Sequence, residues 1–67
     1  MNTDQRQLLA AHVQHWLYND SAPSTVTVGN RVFELIYDGN RYMITENDAV
    51  VGWNDNHKDF RNIAEWI

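Results

Sequence analysis

The sequence predicts an α+β fold: a four-stranded antiparallel meander with one helix before it and one after it, both packed on one sheet face as a two-layer sandwich in the order α-β-β-β-β-α. Three observations lead there. Apolar residues recur at helical spacing over residues 3–18 and again over 56–67. Between Thr25 and Trp53 the period falls to two. That middle stretch is also cut by Gly29-Asn30, Asp38-Gly39-Asn40 and Asn47-Asp48, each of them turn chemistry. At 67 residues the chain has room for one small domain, divided into a helix (3–18), a linker (19–24), a sheet (25–53) and a helix (56–67).

In the first helix, rotation by about 100° per residue places Leu9, Val13, Trp16 and Leu17 on one arc with Ala10 beside it, and turns Gln7 and Gln14 away. Thr3 is the expected N-cap, and Asp4 suits the positive end of the helix dipole. Asn19 to Ser24 then ends the helix, because Asn tolerates a left-handed cap and Pro23 cannot continue the hydrogen-bond ladder.

The strands read as 25–28, 31–37, 41–46 and 49–53. Opposite residues of a hairpin share a face, so the turns themselves test the assignment. Short loops pair Val26 with Phe33, Tyr37 with Tyr42, Leu35 with Ile44, Ile44 with Val51 and Tyr42 with Trp53. One face then gathers Val26, Val28, Phe33, Leu35, Tyr37, Tyr42, Ile44, Ala49, Val51 and Trp53. The other face holds Thr25, Thr27, Val32, Glu34, Ile36, Arg41, Met43, Thr45, Val50 and Gly52, a mixed set suited to water. Asn54-Asp55-Asn56 supplies N-caps for the last helix, whose Phe60, Ile63, Ala64 and Ile67 follow the i, i+3, i+4, i+7 pattern.

Composition narrows the function. Cysteine is absent, which removes disulfides, thiolate metal sites and thiol nucleophiles, and no cofactor is implied. The polar, acidic start lacks a signal-peptide pattern, and no apolar run approaches the length that spans a bilayer, so a cytoplasmic protein without membrane contact is expected. Five basic residues against nine acidic ones leave a net charge of −4, which repels phosphate and favours a neutral or basic partner.

The candidate chemistries are weak. His12 and His15 share a side of the first helix, but two imidazoles without further ligands make a poor zinc site. Asn54 to Asp59 is rich in oxygen ligands, yet Lys58 and Asp59 stand where a calcium loop needs a ligand and a glycine. Ser21 and Ser24 have no base beside them, and Glu46 with Asp48 is expected at a solvated hairpin tip where no pKa is shifted for acid–base work. The chain reads as a non-enzyme. The order of its elements resembles double-stranded-RNA-binding domains and the three-strand-plus-helix DNA-binding domains of the AP2 type. The basic cluster those would need is missing, and the expected register puts the sheet aromatics on the covered side.

What remains is surface. Val32, Ile36, Met43 and Val50, bordered by Arg41, form an apolar patch on the open sheet face, and Trp66 lies about 100° off the stripe of the last helix as a second anchor. A small acidic chain without catalytic apparatus is of the general type that phages and mobile elements direct against host enzymes. The expected function is therefore a protein-binding module that inhibits a partner by covering it. In a sharper form, Asp38, Glu46, Asp48, Asp55 and Asp59 imitate phosphates on a nucleic-acid-processing target. The competing reading is self-assembly into a homodimer or larger structure through the open face or an edge strand, and nucleic-acid binding ranks below both.

Overall fold

The computed structural model describes residues 1–56, 60, 62, 63 and 67. It contains one N-terminal helix, α1 (Thr3–Tyr18), and the strands β1 (Ser24–Val28), β2 (Arg31–Tyr37), β3 (Tyr42–Glu46) and β4 (Ala49–Asn54). The strands form one antiparallel sheet in the order β1-β2-β3-β4.

The cap of α1 falls one residue earlier than expected. Asn2 and not Thr3 occupies it, because the Asn2 side chain accepts the Gln5 N–H at 2.8 Å while Gln5 Oε1 accepts the Asn2 N–H at 3.1 Å, a reciprocal capping box. At the other end Asn19 donates both its backbone N–H and its side-chain amide to the His15 carbonyl, and the Trp16 indole N–H donates to the Ala22 carbonyl. That last bond folds the linker back against α1 and gives a buried indole its partner.

Leu9, Val13 and Trp16 enter one buried cluster with Val26, Val28, Phe33, Leu35 and Ile44 of the sheet, joined by Phe60. Trp16 meets the edge of Tyr42 with ring centres 5.9 Å apart, and Tyr42 stacks on Tyr37 at 4.4 Å. Pairings Val26–Phe33, Leu35–Ile44 and Tyr37–Tyr42 are those expected from the turns. The turns obey local chemistry: Gly29 opens the first with φ 63°, and Asn47 and Asp48 both take positive φ, as a two-residue hairpin of the primed type requires. Most of the expected helix 56–67 lies outside the described residues. Within it Phe60 is helical and fully buried, Asn62 and Ile63 form a tighter turn, and Ile67 packs against the cluster.

The third hairpin departs from expectation. Ala49 pairs with Glu46 and Val50 with Thr45, but the register then shifts so that Gly52 pairs with Ile44, Trp53 with Met43 and Asn54 with Tyr42. Val51 is the extra residue of a β-bulge. Beyond it every face assignment reverses: Trp53 joins the face opposite the core and Gly52 turns toward it. Ala49 and Val51, expected on the covered face, are exposed. The physical reason lies at Gly52, where a Cβ would come within 2.2 Å of Ile63 Cγ2. The core side of β4 has space for Ile63 only because no side chain is there.

Candidate docking surface

The bulge assembles a surface row that the unbulged register would have dispersed. Ile36 pairs with Met43 and Met43 with Trp53, so the three side chains stand abreast across β2, β3 and β4 on the face opposite the core. Trp53 is 49% exposed although it sits in a strand interior. Val32 and Val50 are about as open, while Thr45, opposite Glu34, is buried among its neighbours.

Arg41 completes the row from the β2–β3 loop, with its guanidinium carbon 4.5 Å from the Trp53 ring centre. The loop that presents it is organised by Asp38. One carboxylate oxygen accepts the N–H groups of Arg41 at 2.8 Å and Asn40 at 2.9 Å, and the Asp38 N–H donates to the Arg41 carbonyl at 3.2 Å. Those bonds, the Arg41 N–H first, hold the Asp38 carboxyl below its ordinary pKa. Gly39, at φ 96°, takes the one conformation in this loop that a side chain would resist. Asp38 is thus the anchor of a turn that aims Arg41.

Glu46 also departs from its expected role. Its side chain lies on the core side, where Arg31 Nε donates to Oε2 at 2.8 Å and Nη2 to Oε1 at 2.7 Å in a bidentate pair. The hydrogen bond from Arg31 holds the Glu46 carboxyl below its ordinary pKa, and the same contact raises that of Arg31. Arg31 further lies 4.9 Å over the Phe33 ring and donates to the Ile67 carbonyl at 3.3 Å, so it ties the end of the chain to the sheet. Of the five acids expected on one surface, Asp48 and Asp55 are exposed, Asp38 and Glu46 are engaged, and Asp59 lies outside the described residues, as does Trp66.

His12 and His15 are both exposed and line a groove between α1 and the β1 edge. Among the described residues no group of three or more His, Cys, Asp or Glu is arranged to hold a metal ion, and no helix is long and apolar enough to cross a membrane.

The row was partly legible in sequence. Ile36, Met43 and Arg41 follow from alternation, whereas Trp53 does not. The available signal was Gly52, since a glycine inside a strand often marks a bulge or a close approach. Comparison with protein-family models, with curated proteins and with solved structures finds no match.

Proposed function

We propose that this chain is a non-enzymatic protein-binding module that acts by covering a partner's surface with the face centred on Trp53. The observation that carries the reading is the half-exposed Trp53 in register with Met43 and Ile36 and under Arg41. Trp and Arg are enriched in interface hot spots, and Met adapts to irregular partners. In this reading the C-terminal segment completes a second helix beside α1, so that the two-layer packing leaves only the Trp53 face for docking. The partner is a protein of neutral or basic net charge, since the chain carries −4, with an apolar contact area and an acceptor within reach of Arg41. The same geometry would serve inhibition of a host enzyme by steric cover in the cytoplasm. Phosphate mimicry is the weaker form, because two of the acids it needs are bound within the fold.

The test is affinity capture from the host's lysate after nuclease treatment, with wild type beside Trp53→Ser, Arg41→Glu and a double charge reversal, Asp48→Lys with Asp55→Lys. One stoichiometric protein retained by wild type and by the charge reversal, and lost with Trp53→Ser and Arg41→Glu, supports the face. Loss with the charge reversal alone would restore mimicry, and a salt-sensitive mobility shift of nucleic acid would overturn the module.

A further inference from the structure

The two edges of the sheet are built differently. β4 is interrupted by the Val51 bulge, a device that disturbs edge pairing. β1, Ser-Thr-Val-Thr-Val, is regular, uncharged and β-branched through most of its length, with Pro23 lying just outside it. In a two-residue hairpin the closing residues exchange hydrogen bonds, here Val28 with Arg31, and by alternation so do Val26 with Phe33 and Ser24 with Leu35. The N–H and C=O groups of Thr25 and Thr27 therefore point away from β2, toward the free edge.

We propose that this edge pairs with the β1 of a second copy, antiparallel about a two-fold axis at Val26, to give one continuous eight-stranded sheet. A second copy suits the edge because β1 is complementary to itself. About that axis Val26 meets Val26, each Thr25 meets a Thr27, and each Ser24 meets a Val28, so no charge meets a like charge. The two Thr25–Thr27 pairs exchange the outward hydrogen bonds, and their side chains lie together on the exposed face, a favourable cross-strand pair. The core-side flank agrees. Leu8, His12, His15 and Asn19 share one side of α1 by helical spacing. The last three line the groove beside β1, and Leu8, one turn along, is 48% exposed. A second sheet laid against β1 extends over that flank and covers Leu8. Pairing leaves the Trp53 row free at the far edge of each copy, so a dimer carries two docking rows on one sheet, and the proposal stands or falls independently of them.

The test uses the absence of cysteine. Val26→Cys places a thiol on the axis, where the Cα atoms of a non-hydrogen-bonded antiparallel pair lie about 4.5 Å apart, within disulfide range. Ser24→Cys, on the same strand and face, separates its copies by about 14 Å along the strand. Under copper-catalysed oxidation Val26→Cys is expected to form the covalent dimer at least about tenfold faster than Ser24→Cys. Wild type should sediment as a dimer on going from micromolar to millimolar concentration. Thr25→Pro removes an outward donor without touching the β1–β2 ladder, and should sediment as a folded monomer. Trp53→Ser should leave sedimentation unchanged. A wild type monomeric at millimolar concentration, or equal cross-linking of the two cysteine variants, overturns the proposal. If Thr25→Pro does not fold, the cysteine pair decides alone.

Discussion

At Gly52 the chain has no room for a single methyl group, since Ile63 Cγ2 stands 2.2 Å from where a Cβ would be. Gly52→Ala must push Ile63 away or bend β4, and overpacking of this kind costs about 1–3 kcal/mol, which a urea melt reads as a lowered midpoint. The neighbouring Arg31–Glu46 pair makes a prediction about acid. Glu46 has its carboxyl pKa lowered in the fold by the Arg31 hydrogen bond, so the stability it contributes is present above the ordinary carboxylate value of about 4.3 and is lost as pH falls through the lowered one. Glu46→Gln should therefore flatten the loss of stability between neutral and strongly acidic pH, measured as urea midpoints across that range. Asp38, lowered by its own turn, leaves a residual slope in that variant. The role of Glu46 was not legible in the residues alone: an acid at a hairpin end is solvated unless a cation from another strand reaches it, and Arg31 lies 15 positions away.

At the scale of the element, α1 and the first two hairpins follow from the chain itself, because a helical stripe and a two-residue turn are determined by residues within a few positions of one another. Asn2→Ala removes one half of the capping box and should cost about 1 kcal/mol, seen as a lower thermal midpoint. The third hairpin was not legible in the same way. Its turn starts the expected register, and Val51 then interrupts it, so the turn governs only the two pairs nearest to it. Deleting Val51 joins Val50 to Gly52 with the pairing on either side kept. The shortened chain should fold with Trp53 still beside Met43, and a nuclear Overhauser contact between the Met43 methyl and the Trp53 indole checks this. The same contact is expected in the chain that keeps Val51, and there a Trp53 found against Tyr42 would show that the register had no bulge.

For the whole molecule the margin is thin. A chain of 67 residues has a total stability of about 3–10 kcal/mol, and Phe33, fully buried at the centre of the cluster, is worth about 3–5 of these when cut to Ala. Phe33→Ala should be largely unfolded by circular dichroism at room temperature, and Phe33→Leu folded. In so small a fold the side of the sheet occupied by each large residue decides what the surface presents. The sequence by itself determined the α+β class, the helix at 3–18, the order and antiparallel pairing of the strands, and the inward set from Leu9 to Ile44, because each rests on periodicity and turn chemistry within a short stretch of chain. Only the tertiary structure decided that Trp53 faces outward, that Glu46 is held by Arg31, and that Arg41 is aimed by Asp38 onto an indole. The first rests on Ile63 lying against Gly52, the second on Arg31 reaching Glu46 from 15 positions away, and the third on the bulge that brings Trp53 under Arg41, contacts between distant residues that no local pattern encodes.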